Sequence, residues 1–362
     1  DNGSGCKIVL VRPSSTKDLT AGEHTVLYVL ENNDGYRVKF NKKINLKSGT
    51  NAVELITKKN DNSTGDSGSG VYKVTHSAIP ASSSATGSEI PAVTDYRYYG
   101  PSPDNYICLD MEGGSTCPDK HLYRIIGSIY EEKENTNRIK VIKATPLTDG
   151  TTKGYAWDSG NVNIWATITN GNYSNSLTSG ASLMKLLNSG DWWNRTNTFA
   201  NYGLTEKAKS YITTSRYYLG GYNNSNGVMT NQFYTYERGT TRYDTNRPLY
   251  WDGMVGLMYP SDFGYAAGNT CVTGTDPYNY DGGCKNKDWL WMTTSSDYSN
   301  SAEWLMSPGS GSSDYAFFVN SSGFVGYYGV GSANSARPVF YLSSSASISE
   351  GEGTSAAPYI LS

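Results

Sequence analysis

Charge is scarce in this chain. Asp, Glu, Lys and Arg make up 17% of its 362 residues and leave a formal net charge of -3. With no basic stripe to neutralise phosphates, nucleic acid is not an expected partner. Histidine is rarer still: His24, His76 and His121 stand in dissimilar segments that match no metalloprotease or zinc spacing, and each reads as a strand-end or surface residue. No run approaches the roughly 18 to 20 apolar residues of a membrane span, and no signal-peptide core is present. Because it begins at Asp1, the chain is expected to be a mature or truncated ectodomain whose native membrane or cell-wall anchor lies outside it.

Cysteine is also sparse, at five residues. Cys108 and Cys117 flank a short polar turn, Cys271 and Cys284 flank a Tyr/Asp/Gly loop, and neither pair has a histidine at zinc-ligand spacing. Two local disulfides are expected, each worth about 3 kcal/mol by loop entropy. The alternative is reduced cysteines in a cytosolic protein, which low charge and loop richness disfavour. Cys6 is left over, as a free thiol or half of a bridge to a segment outside the chain.

Tyr (30) and Gly (39) are abundant, so polarity comes from Tyr, Asn, Ser and Thr rather than from ions, as suits an extracellular surface. Four short β-like runs, Lys7–Val11, Thr25–Leu30, Tyr36–Phe40 and Val71–Val74, suggest a small β-rich N-terminal module; the second could equally be a short helix. Ser77–Ser88 reads as a Ser/Ala/Pro-rich linker or long surface loop, and a domain boundary is expected near residue 90. Strands of a meander follow at Tyr96–Gly100, Tyr106–Leu109, Leu122–Tyr130 and Ile139–Ile142. Two short helices come next, one with Leu183, Leu186 and Leu187 on a face and Ser182 as a cap, the other capped by Thr205.

The stretch Trp304–Leu342 organises the rest. Trp304, Leu305, Met306, Pro308, Val319, Val325, Val330, Val339, Phe340 and Leu342 recur at strand-like spacing and should form a rigid frame. Between them stand Ser310, Ser312, Ser313, Asp314, Tyr315, Phe318, Ser321, Ser322, Phe324, Tyr327, Tyr328, Ser332, Asn334 and Ser335. Antigen-binding loops use this vocabulary, because Tyr offers large contact area at low rotamer entropy while Ser, Gly and Asn adapt their hydrogen bonds. An ordinary solvated hairpin region is the plainer alternative.

This stretch, with Tyr217–Gly221, Phe233–Gly239, Val255–Ala266, Trp289–Trp291 and the closing Ala336–Leu342, resembles the variable proteins of diversity-generating retroelements of gut Firmicutes and their phages. The resemblance covers about residues 95 to 361. It implies an α+β fold: a C-type lectin-like domain of the formylglycine-generating-enzyme type, at 91–362, loop-rich with two short helices and antiparallel strands; the β-rich module of 1–90, read from its own strand runs, precedes it. It further implies that 304–342 is a variable region in which adenine-directed mutation of Asn codons yields Ser, Tyr, Asp, Gly, Phe and Val. The expected ligand-binding residues are Ser310, Ser312, Ser313, Asp314, Tyr315, Phe318, Ser322, Phe324, Tyr327, Tyr328, Ser332 and Asn334. Their partner would be a protein or glycan on another cell or particle surface. A structural pilus-tip or cell-wall module, or a fixed carbohydrate-binding adhesin, remains the alternative.

Catalysis is not expected. Gly65–Gly70 resembles the nucleophile string of chymotrypsin-like proteases, but only His24 precedes Ser67, too close to build a triad, so a flexible turn is the reading. Formylglycine-generating enzymes need a reactive cysteine pair, and Cys271 and Cys284 read as a disulfide instead; fold alone transfers no activity. Asp262, Asp276, Asp281 and Asp288 could ligate calcium by type, yet no loop has EF-hand spacing, and neither metal nor cofactor is expected. Glu237-Arg238 reads as a structural ion pair or a source of backbone hydrogen bonds under the binding loops, and Trp192, Trp193, Trp251, Trp289 and Trp291 read mostly as core. The sequons at Asn62 and Asn172 are expected by chance in so Asn-rich a chain.

Overall fold

The computed structural model describes residues 22–31, 34–46, 49–60, 63–159, 181–243, 245, 247–292, 296, 298–312 and 314–362. The chain divides into two compact units, Asp1–Thr50 and Asn51–Ser362. In the smaller, β1 (Gly22–Glu31) and β2 (Arg37–Leu46) form an antiparallel hairpin that pairs Glu31 with Arg37 and Gly22 with Leu46. The Thr25–Leu30 run is therefore a strand. The Lys7–Val11 run and Cys6 lie outside the described residues. β3 (Thr50–Asn51) stands at the boundary.

The larger unit begins with α1 (Ala52–Lys58), which Asn51 caps by accepting the amides of Val53 and Glu54. β4 (Gly70–His76), β5 (Val93–Tyr99), β6 (Tyr106–Cys108), β7 (Leu122–Glu131) and β8 (Thr136–Lys143) then build the main sheet. β7 is its centre. β8 runs along one edge of β7, β6 and β5 pair in succession along the other, and β4 pairs the far edge of β5. The four strands expected from sequence are all present, but not as a simple meander, since β5 pairs with β7 rather than with its sequence neighbour β6.

The expected boundary near residue 90 is corrected. Val71–Val74 pairs with β5 rather than with the N-terminal hairpin, and Ser77–Ser88 is no linker. Ile79 bridges Ile90, Ala85 donates its amide to Arg238 O at 2.8 Å, and all three apolar side chains are buried. Serine-rich composition hid a segment pinned by a few apolar residues.

Eight short helices, not two, occur among the described residues. After α1 come α2 (Ser182–Asn188), α3 (Asp191–Asn194), α4 (Glu206–Ser210) and, past β9 (Ser215–Tyr218), α5 (Thr230–Glu237). β10 (Tyr250–Gly253) pairs with β9, and α6 (Pro260–Ala266), α7 (Asn269–Gly274) and α8 (Gly282–Lys285) follow. Thr205 caps α4 as expected, accepting from Ala208 N at 3.2 Å. Ser182 is the first helical residue rather than the cap, and its hydroxyl accepts from Ser159 N.

β11 (Ala302–Pro308), β12 (Tyr315–Asn320) and β13 (Val325–Gly329) form a separate antiparallel sheet. The chain then returns to the main sheet: β14 (Val339–Tyr341) pairs with β8, β15 (Ser347–Glu350) with β16 (Tyr359–Leu361), and β16 runs parallel to β6. The architecture is α+β, mostly strands with short helices.

Both expected disulfides form, Cys108–Cys117 and Cys271–Cys284. Such bridges fit an oxidising, extracytoplasmic setting. No described helix is long and apolar enough to cross a membrane.

Candidate ligand-binding face

Every frame residue from Trp304 to Leu342 is buried, and Trp304, Leu305, Met306, Val319, Val325, Val330, Val339, Phe340 and Leu342 are 0% exposed. The β12–β13 turn is fixed locally. Asn320 Oδ1 accepts the amides of Ser322 and Phe324, and Gly323 takes φ 86°, which its lack of a Cβ permits.

Register then sorts the interleaved residues, because successive strand side chains point to opposite faces. The pairs Tyr315–Gly329, Phe317–Tyr327 and Val319–Val325 share one side; Ala316–Tyr328 and Phe318–Gly326 share the other. On the first side Phe317 packs edge-on against Phe233 of α5. Tyr327 lies 5.6 Å from Phe317 and donates its hydroxyl to Asn223 O at 3.0 Å. Tyr327 and Tyr328, expected as neighbouring anchors on one surface, therefore point to opposite sides. Tyr327 is half-buried and tied down, whereas Tyr328 is 58% exposed.

Asp314, Tyr315, Tyr328, Gly329, Gly331 and Ser332, with Ser159, line one open concavity of about 460 Å³. Four of the expected binding residues, Asp314, Tyr315, Tyr328 and Ser332, thus line one concavity at the open end of the β12–β13 ladder, Tyr315 from the Tyr327 side, 5.9 Å from that ring, and Tyr328 from the other. The others are dispersed. Ser310 donates its amide to Tyr222 O, and the Ser312 hydroxyl donates to Asp314. Ser322 is exposed at the hairpin tip, where Phe324 packs against Tyr278 at 5.5 Å. Phe318 sits opposite Trp304 and over Gly326. Ser313 lies outside the described residues. Asn334 is a correction: it is 2% exposed, its carbonyl accepts from Tyr155 N and its side-chain oxygen from Asn300 Nδ2, so it supports the loop from inside.

Family models, curated proteins and solved structures yield no match to this chain.

One pair at the base of this face escaped sequence reasoning. Arg337 grips Glu303 through two parallel bonds, Nε to Oε1 at 2.7 Å and Nη2 to Oε2 at 2.9 Å, with both side chains buried. Burial raises the Glu303 carboxyl above its usual range and Arg337 pulls it back. The fork geometry supports the ionised pair. The signal was available: Glu303, Asp314 and Arg337 are the only charged residues between positions 303 and 342, and two of them stand at its ends.

A second polar cluster lies under the main sheet. Arg97 bonds Asp95 at 2.8 Å and Asp262 at 2.9 Å; Lys140 takes the other oxygen of Asp262, and His76 bonds Asp95 at 2.9 Å. Burial opposes the charge on Asp95, yet Arg97 and His76 outweigh it and hold the carboxyl well below its usual range. Burial lowers His76, favouring the neutral ring. His76 ends β4, a strand-end position as expected, but it and His121 are buried rather than superficial; the side chain of His24 is not described. Glu237 accepts from Ser261 N at 2.9 Å, from Ser261 Oγ at 2.6 Å and from Arg238 at 3.2 Å, the structural role expected of that pair.

The four aspartates considered as cation ligands have other employment. Asp262 is bound by Arg97 and Lys140, Asp281 caps α8, Asp276 accepts from Asn279, and Asp288 is buried beside Leu290 N. Among the described residues no group of three or more His, Cys, Asp and Glu is placed to hold a metal ion. Trp192, Trp251 and Trp289 are core, while Trp193 and Trp291 are half-buried. Ser67 lies in an exposed turn before β4.

Proposed function

We propose that this chain is a surface-displayed binding protein with a C-type lectin-like domain, akin to the variable proteins of diversity-generating retroelements. Its region at about 309–335 presents a replaceable surface to macromolecular ligands on host, bacterial or phage surfaces, and its action is non-covalent. The observation that carries this reading is the division of labour in 304–342: apolar positions wholly buried, with Tyr315, Tyr328, Gly331 and Ser332 gathered around an open concavity. Tyr315 and Tyr328 serve as rigid anchors, and Asp314 and Ser332 as adaptable polar contacts. Burial of three of the five tryptophans in question supports this surface over a tryptophan platform for sugars.

The test uses labelled full-length protein and intact bacterial and host cells. Tyr315→Ala with Tyr328→Ala should abolish cell binding while Tm stays within a few degrees. Undiminished binding of a folded double variant would refute the assignment.

A further inference from the structure

The other candidate is an edge of the main sheet. Among the described residues, β5 is the strand paired with β4, and β4 has no second neighbour. The direction of its free peptide groups follows from β5. Thr94 O accepts from Asn137 Nδ2 at 2.9 Å, Tyr98 O accepts from Trp289 Nε1 at 3.0 Å, and Tyr96 O faces Gly127 of β7. The even-numbered residues of β5 thus turn their peptide groups away from β4. Their register partners Thr75, Lys73 and Val71 occupy the non-hydrogen-bonded sites of the ladder, so their own N–H and C=O groups point to the free side of β4. No described residue takes up the peptide groups of Lys73 or Thr75.

That free side faces a groove of about 470 Å³, with Tyr72, Lys73, Val74 and Thr75 on one wall and Met229 and Val272 on the other. Four successive strand residues line one groove only where it follows the backbone edge, since a sheet face shows alternate residues. A second concavity of about 210 Å³ shares Thr75 and continues past His76 to Pro80. Among the described residues, Lys73 is the only Lys, Arg, Asp or Glu in either lining. Among the described lining residues its charge is thus unopposed and complements an acidic chain, and the far wall, drawn from around α5 and α7, commits the space to a single strand rather than to another sheet.

We propose that the β4 edge binds an extended peptide by strand addition. The peptide exchanges main-chain hydrogen bonds with Lys73 and Thr75, seats an apolar side chain against Val74, Met229 and Val272, and places an acidic group at Lys73. This site is separate from the Tyr315/Tyr328 concavity. A lysine on an edge strand can also serve merely to discourage pairing, and the experiment separates the two roles.

A displayed library of linear peptides is selected on the full chain, and enriched peptides are measured against wild type, Thr75→Pro, Lys73→Glu and Tyr328→Ala. Thr75→Pro removes an outward N–H and leaves the donors of the β4–β5 ladder in place. The expected result is a loss of about tenfold or more in affinity for Thr75→Pro. Lys73→Glu should produce a smaller loss confined to acidic peptides, and Tyr328→Ala no change. On wild type, peptide addition should slow amide exchange at Lys73 and Thr75, a readout that survives if Thr75→Pro fails to fold. Failure of any peptide to enrich, equal affinity for a folded Thr75→Pro, or unchanged exchange at both amides overturns the proposal. Concentration-dependent dimerisation abolished by Thr75→Pro also overturns it, in favour of a second copy as occupant.

Discussion

The interior under the main sheet and the exterior at the β12–β13 hairpin use polarity in opposite ways. Asp95, Arg97, Lys140 and Asp262 are charged and almost wholly buried, whereas the open concavity at Tyr315 and Tyr328 has, among the described residues, Asp314 as its only formal charge. Buried charges are costly to leave unpaired, so each fixes its partner's position. Neutral Tyr, Ser and Gly on an exposed hairpin have few such obligations and can be exchanged. Charge in this molecule thus holds the frame, and uncharged polar groups form the surface that the frame carries.

The sharpest way to break this contrast is at Glu303 and Arg337. Arg337→Ala leaves the Glu303 carboxylate buried without its partner and should cost about 3–5 kcal/mol in denaturant unfolding, against near-neutral changes on the concavity. Next comes pH. Burial pushes Glu237 up to about 7 against the pull of Arg238 and Ser261. Below about 4.5 both folded and unfolded states hold the proton; as pH rises toward 7 the unfolded chain releases it first. Stability from this group is therefore present at low pH and lost on the way up, by about 3 kcal/mol across that window. In Glu237→Gln that component should vanish from the pH profile of unfolding free energy.

Smaller effects sharpen the comparison within the hairpin. Tyr327→Phe removes the bond to Asn223 O and should cost about 1 kcal/mol. Tyr328→Ala, one residue on and facing the other way, should stay within about 0.5 kcal/mol by thermal unfolding. Equal costs for the two would erase the distinction between frame and surface.

The frame was legible in the sequence because its apolar residues recur with strand spacing between turn-forming Gly and Ser, and Val319, Val325 and Val330 are indeed buried. The disulfides were legible because each closes a local loop, with separations of 9 and 13 residues. Which way each tyrosine points was not, since that depends on register between β12 and β13. The Glu303–Arg337 pair spans 34 positions, so no local pattern joins the two, and only the scarcity of charge across 303–342 hinted at it. Of the six further helices, α3, α7 and α8 have only four to six residues and α6 is buried on every side, so none of these shows an apolar stripe against a polar one. Ser77–Ser88 misled because Ile79 and Ala85 are secured by distant partners, Ile90 and Arg238, rather than by neighbours.

The most direct measurement is a display library of the full chain with positions 314, 315, 328 and 332 randomised together, scored for folding by thermal unfolding and for binding to unrelated protein targets. The expected result is that most variants melt within a few degrees of wild type and that binders to several targets emerge. Collapse of the melting transition in most variants, or folded variants that yield no binders, would contradict the account of a replaceable surface on a fixed frame.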